Sequence, residues 1–147
     1  MLKSIFKYAI LPYTVTMLYF MFVGMERSQY EHNIVRIVPV FSTLKFIREA
    51  NYVSEALFIV FANLVMFIPY GFLGWILPKC RNLKYLIFNF ISVITILEAL
   101  QYFSRMGVFD IDDIIINTFG VYIGFHICIL LEVKLKRFVY KNPNTSY

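Results

Sequence analysis

Charged side chains are scarce in this 147-residue chain, making up only 16% of it as 14 basic and 9 acidic residues. Typical soluble domains carry about 25%. In their place, 60% of the residues are apolar and 19% are aromatic, which is more than a soluble domain of this length can bury. The scarcity of charge therefore excludes a disordered segment, argues against a soluble globular enzyme, and indicates an integral membrane protein.

Cysteine is also rare, and the two that occur, Cys80 and Cys128, lack the spacing of a metal site. Neither falls on the side predicted to face an oxidising compartment, so no disulfide is expected. A lone cysteine in a membrane helix is usually a small apolar packing residue. We therefore expect no cysteine-bound metal. The sequence predicts no resident metal or cofactor elsewhere, with a divalent ion at the Asp cluster as the less favoured alternative.

Four apolar stretches are long enough to cross a membrane, which takes roughly 20 mostly apolar residues. The predicted helices cover residues 5–25, 56–78, 85–104 and 113–131, and residues 26–55 form a loop that either contains a short interfacial helix or is a plain linker. The third stretch contains Glu98 and is interpreted as a spanning helix with a buried acid. The alternative is a re-entrant segment that ends near Leu97. The prediction is a single all-α membrane domain, 1–147, with four helices in a bundle.

Lysine and arginine positions predict the orientation, because these residues are enriched in cytoplasmic loops. Nine of the fourteen lie before the first helix, between the second and third, and after the fourth. Both termini are therefore predicted to be cytoplasmic in a multi-pass protein of the cell membrane. The net charge of +5 then reflects topology, and no nucleic-acid partner is expected.

Polar side chains are unfavourable in hydrocarbon, yet three predicted helices each place one at a similar depth. Counted from the outer helix ends at about 1.5 Å per residue, Asn63 lies roughly 11 Å deep, Glu98 roughly 9 Å and Asn117 roughly 6 Å. Gln101 and Arg105 share a helix face with Glu98. These depths predict a polar site in the outer leaflet.

The fourth helix carries a polar stripe on one face. Asp110, Asp113, Asn117, Gly120 and Gly124 recur at intervals of three, four, three and four residues. The glycines continue the stripe as a small-residue seam, which lets another helix approach closely. The acids should therefore point into the bundle, and the seam leaves open a homo-oligomer through Gly120 and Gly124.

Three motifs together resemble the signature of VanZ-like membrane proteins. They are Asn63-Leu-Val-Met-Phe67-Ile-Pro69-Tyr-Gly71, Glu98-Ala-Leu-Gln101, and the run from Arg105 to Gly120 that contains Asp110, Asp112, Asp113 and Asn117. The resemblance covers roughly residues 33–124. It departs from the family in the loop, where Arg36 replaces an expected Asn and Val40 an expected Phe; either Arg27 or Arg36 corresponds to the family's loop arginine.

The family's namesake is associated with low-level resistance to teicoplanin, which acts at the outer cell surface. The resemblance thus implies a cell-envelope function, but it brings no settled mechanism. The partner expected from it is a membrane lipid or a lipid-linked envelope precursor.

Several roles stay open for the predicted site. In an enzyme, Glu98 is the general acid or base, Asp110 and Asp113 share a proton or hold a divalent ion, and Arg105 clamps a phosphate or carboxylate. In a binding or accessory protein, the same groups hold a ligand without chemistry. In a structural network, they only pin the helices. A proton-coupled transporter is disfavoured, since four helices leave little room for alternating access.

The candidate catalytic residues are Glu98, Asp110 and Asp113, and the candidate ligand-binding residues are Arg105, Asn63, Gln101, Asn117, Asp112 and Arg36.

Overall fold

The computed structural model describes residues 2–24, 29–39, 48 and 53–141. Its elements in chain order are α1 (Leu2–Phe22), β1 (Val35–Arg36), α2 (Val53–Phe67), two 3-10 segments (Ile68–Trp75 and Pro78–Arg81), α3 (Leu83–Ser104), β2 (Phe109–Asp110) and α4 (Ile111–Lys141). The described chain is mostly helical, as predicted, with one short parallel ribbon formed by β1 and β2. Val40, Arg27 and most of the predicted interfacial helix lie outside the described residues.

Among the described residues, three helices are long and apolar enough to cross a membrane: α1, α3 and residues Ile111–Arg137 of α4. A shorter apolar helix covers Val60–Trp75. The helix α3 continues without a break through Glu98 to Ser104, which favours a spanning helix over a segment that ends near Leu97. Its first residues are held by Asn82, whose side chain accepts a hydrogen bond from the Tyr85 N–H at 3.2 Å and caps the helix.

The second predicted helix is a joint between two helix types. Pro69 has no N–H and its ring clashes with the preceding turn of an α-helix. Accordingly α2 ends at Phe67, and the chain continues as a 3-10 helix with the proline in its first positions. The stretch predicted as the second helix, residues 56–78, is therefore divided near Pro69 into α2 and a 3-10 segment.

The glycine seam packs within the chain. A Cβ on Gly120 would overlap the carbonyl oxygen of Leu64, and one on Gly124 would overlap that of Ile68. Gly71 lies directly against Gly124, so α4 meets α2 and the first 3-10 segment at backbone contact. Because the seam is filled by the same chain, a homo-oligomer would have to use another face, and oligomerisation stays a prediction.

The helix α1 is the most exposed of the long helices, with Met17 and Met21 as its buried residues. It is fixed by a few directional contacts. The Tyr13 hydroxyl donates to the Met66 carbonyl at 2.6 Å, and Lys3 forms an ion pair with Glu132 at 2.6 Å. This sparse contact leaves a groove between α1 and α3.

Candidate functional site

The site begins where α3 ends. Arg105 adopts a left-handed backbone conformation with φ of 57°, and it is the C-cap of the helix. The N–H groups of Met106 and Gly107 both donate to the carbonyl of Gln101, at 3.0 and 3.2 Å. The Arg105 N–H also donates to this carbonyl, so the three bonds gather on one acceptor, close the helix and turn the chain into β2.

The loop segment from Tyr30 to Arg36 runs alongside this turn. The Tyr30 N–H donates to the Arg105 carbonyl at 3.0 Å, and the Phe109 N–H donates to the Ile34 carbonyl at 3.1 Å. In the parallel ribbon, Arg36 is the register partner of Asp110. The ribbon therefore brings a loop arginine to the first acid of α4.

Asp110 joins three elements. Its Oδ2 lies 3.5 Å from Nη1 of Arg36, and its Oδ1 accepts a hydrogen bond from the Asp112 N–H at 2.9 Å. The second contact is an N-cap, which satisfies an open N–H of the first turn of α4. The Asp110 N–H donates in turn to Oε2 of Glu98 at 3.4 Å. Asp110 thus connects β1 and α4 through its carboxylate and α3 through its backbone N–H.

The carboxylates at this point are buried. Glu98 is 2% exposed, Asp112 5% and Asp110 6%. Asp112 and Asp113 lie in the first turn of α4, where the positive end of the helix dipole favours negative charge. Backbone N–H groups, the helix dipole and Arg36 together stabilise the charge of this cluster.

The predicted amide residues divide between the cluster and the helix packing. The Asn63 Nδ2 lies 3.4 Å from Oδ1 of Asp113, so α2 contacts the cluster through this pair. The Gln101 Nε2 donates to the Met21 carbonyl at 2.8 Å, which lies in the last turn of α1, where carbonyls lack the regular donors of a helix interior. Asn117 is 3% exposed, and among the described residues its Oδ1 accepts no hydrogen bond.

Two arginines lie at the exposed rim. The side chain of Arg36 is 50% exposed although it faces Asp110. Arg105 is exposed and donates its Nε to Oδ1 of Asn33 at 3.2 Å. Asn33 and Arg36 belong to the same loop segment, so Arg105 is tied to the segment that carries Arg36. We call these two exposed arginines the arginine rim.

A comparison with protein-family models matches residues 6–132 to the VanZ/LLP1 family. The chain belongs to this family. The match confirms the resemblance carried by the three motifs, and it includes every candidate site residue. No curated protein and no solved structure matches the chain.

In this VanZ/LLP1 family member, the fold brings together most of the predicted site residues. Glu98, Asp110 and Asp112 share one cluster, to which Asn63 is joined through Asp113. The guanidinium that meets a carboxylate belongs to Arg36, whereas Arg105 bonds to Asn33. Gln101 contacts the α1 backbone instead of a described acid.

Two contributions were not predicted from the sequence. Asn33 positions Arg105, and the pairing of β1 with β2 positions Arg36. A strand of two residues is too short to show an alternating pattern, so no signal of the ribbon exists in the sequence. Within residues 2–24, 29–39 and 53–141, no three His, Cys, Asp or Glu side chains are placed to share a metal ion.

Proposed function

We propose that this VanZ/LLP1 family member binds the anionic head group of an envelope lipid or lipid-linked precursor at the outer face of the cell membrane. The observation that carries the proposal is the pair of exposed guanidinium groups of Arg36, in the loop segment, and of Arg105, which bonds to Asn33 of that segment. A planar guanidinium matches phosphate and carboxylate oxygens two at a time. The rim therefore has the chemistry to recognise such a head group.

The proposal includes four membrane spans with both termini in the cytoplasm. The positions of the basic residues support this orientation. The length of the second segment supports the number of spans. Its 15 α-helical and 8 3-10 residues extend about 38 Å at rises of about 1.5 and 2.0 Å. That length exceeds the hydrocarbon core of about 30 Å.

The buried acids favour binding over chemistry. Asp110 caps α4 and faces Arg36, and Glu98 accepts the Asp110 N–H. These contacts hold Arg36 in place, so the Asp110 carboxylate positions one of the two arginines that meet the ligand. By retaining an envelope precursor, such a protein would lower susceptibility to teicoplanin, which is the effect associated with the family's namesake.

A second candidate function is an enzyme in which Glu98 transfers a proton to or from the same ligand. Its burial, with 2% of its surface exposed, favours this role, since a general acid or base acts best where water is excluded. In that case, the amide variant Glu98→Gln would retain ligand binding but abolish turnover.

Arg105 offers a sharp test, because glycine readily adopts the left-handed conformation that this position requires. Arg105→Gly therefore keeps the helix end and removes only the guanidinium. With purified protein in nanodiscs and polyprenyl diphosphate as the probe, we expect Arg105→Gly and Arg36→Gln each to weaken binding by about 10- to 100-fold, as one charge-assisted hydrogen bond contributes about 1.5–3 kcal/mol. Glu98→Gln should bind within about threefold of the unaltered protein.

The same variants, expressed at equal membrane levels, are then compared for teicoplanin susceptibility. Loss of any resistance in Arg105→Gly but not in Glu98→Gln supports binding. Loss in Glu98→Gln with unchanged affinity for the probe supports the enzyme instead. If Arg105→Gly and Arg36→Gln bind the probe as tightly as the unaltered protein, the rim is not a binding site and the proposal fails.

A further inference from the structure

A second feature with the form of a ligand site lies away from the acidic cluster. A cavity of about 610 Å³ opens between α1 and α3, and its floor is formed by the first 3-10 segment. Its α3 wall consists of Tyr85, Leu86, Asn89, Phe90, Val93, Ile94 and Leu97. None of the nine candidate site residues lines this α1–α3 groove.

Three polar side chains that line the groove, those of Thr14, Tyr70 and Asn89, donate hydrogen bonds to other groups of the protein. The Tyr70 hydroxyl donates to Thr14 Oγ1 at 3.1 Å and lies 3.3 Å from the Met17 sulfur. The Asn89 amide donates to the Tyr85 carbonyl of its own helix at 2.8 Å. The surface left for an occupant is therefore hydrocarbon-like.

The dimensions of the groove match one lipid chain. Between Tyr85 and Leu97 the α3 wall extends about 18 Å at about 1.5 Å per residue. This is slightly more than half of the hydrocarbon core of about 30 Å, which is the depth that a chain occupies within one leaflet. Beyond Leu97 the hydrogen bond from Gln101 to the Met21 carbonyl ties α3 to α1.

The other end of the groove is basic. Lys79 lines it and is exposed, Arg81 ends the second 3-10 segment, and Lys84 lies in the first turn of α3. A cation at the mouth of an apolar groove is complementary to a phosphate joined to a hydrocarbon chain. An empty groove of this kind in a bilayer would also lose the dispersion contacts of its walls.

We propose that the α1–α3 groove binds one acyl chain of an anionic glycerophospholipid, with the head-group phosphate at Lys79. The occupant comes from the leaflet at the basic end of the bundle, opposite the ribbon that holds Arg36 and Arg105. It is therefore a different molecule from the ligand proposed above. Its chain fills the space that α1 leaves open and holds α1 against α3.

The experiment compares two lipid-facing positions on α3. Val93 is 55% exposed and lines the groove, whereas Ile96 is 59% exposed and does not line it. The protein is delipidated in detergent and titrated with phosphatidylglycerol or phosphatidylcholine, and bound lipid is counted by native mass spectrometry. We expect the unaltered protein and Ile96→Trp to retain one phosphatidylglycerol, and Val93→Trp to bind it at least tenfold more weakly.

Lys79 is tested against Lys84, its exposed neighbour outside the groove. We expect Lys79→Gln to bind lipid but to lose a preference of about fivefold for phosphatidylglycerol over phosphatidylcholine. Lys84→Gln should keep that preference.

Equal lipid retention by Val93→Trp and Ile96→Trp would overturn the proposal, as would an unchanged preference in Lys79→Gln. Leu77→Trp, at the basic end of the groove, gives the same comparison if Val93→Trp does not fold. Binding of detergent alone at the groove, with no phosphatidylglycerol retained, would also overturn it.

Discussion

Replacing Gly124 by alanine tests the packing that places α4. In most helices this change is stabilising, because alanine exceeds glycine in helix propensity by about 1 kcal/mol. Here the added methyl group would overlap the carbonyl oxygen of Ile68, lie 2.9 Å from the Ile68 carbonyl carbon and lie 3.2 Å from the Gly71 Cα. These are backbone atoms of a neighbouring helix, so no side-chain rotation relieves the overlap.

The helices must therefore separate. Forcing a methyl group into a packed interface costs about 3 kcal/mol at the upper end of the usual range. Subtracting about 1 kcal/mol for the gain in helix propensity leaves a net loss of about 2 kcal/mol. For a chain of this size, that corresponds to a melting temperature lower by about 4–8 °C.

Gly74→Ala is the matched control. A Cβ there would meet the Arg81 Cγ at 3.1 Å and the Arg81 backbone nitrogen at 3.3 Å, contacts that a shift of a few tenths of an ångström relieves. Thermal unfolding in detergent can be followed with a thiol-reactive dye, since both Cys80 and Cys128 are free and buried. A melting temperature of Gly124→Ala equal to or above that of Gly74→Ala would refute the backbone contact as the reason for this glycine.

Two further predictions concern other contacts. Gln101→Leu should lower the free energy of unfolding by about 1–3 kcal/mol, because it removes the hydrogen bond from Gln101 to the buried Met21 carbonyl. Ser104→Ala, on the exposed side of the same helix, should change it by less than about 0.5 kcal/mol. Equal melting temperatures of the two variants would contradict the Gln101 contact. Burial raises the pKa of the Cys80 thiol, so the folded state holds this proton more tightly than the unfolded state. The stability that this provides is complete below the ordinary thiol pKa. It is lost as the pH rises from that value through the raised pKa of the folded state. In a Cys128→Ala background, maleimide should therefore label folded protein more slowly than unfolded protein at pH 8, with the difference shrinking as the pH rises, and equal rates at pH 8 would contradict a raised pKa.

The helices were largely predictable, because the membrane imposes a length and an apolar composition that the sequence displays directly. The bounds of α3 differ from the prediction by only two residues, at its N-terminus. The helix that contains Pro69 shows where this reasoning stops. A proline signals a disturbance, but hydropathy does not distinguish a kinked α-helix from a change to 3-10 geometry.

The site was predictable in depth but not in its pairing. Counting residues put Asn63 and Glu98 in one layer, and the structure joins each of them to the start of α4, through Asp113 and the Asp110 N–H respectively. The partner of Asp110 could not be found in this way. Arg36 lies far from it in the chain, and only backbone hydrogen bonds of the ribbon define their register.

The packing seam and the acidic cluster depend on the same two helix faces. Asn63 and Leu64 are neighbours on α2, and their partners Asp113 and Gly120 are separated by seven residues, about two turns, on α4. The backbone contacts of Gly120 and Gly124 therefore set the height of α4 relative to α2. That height decides whether Asn63 reaches Asp113. Asp110 lies directly before α4 and pairs with Arg36, so the position of α4 also affects the position of Arg36. A displacement of α4 along the seam must change the spacing between the cluster and the arginine rim, although no residue of either has been altered.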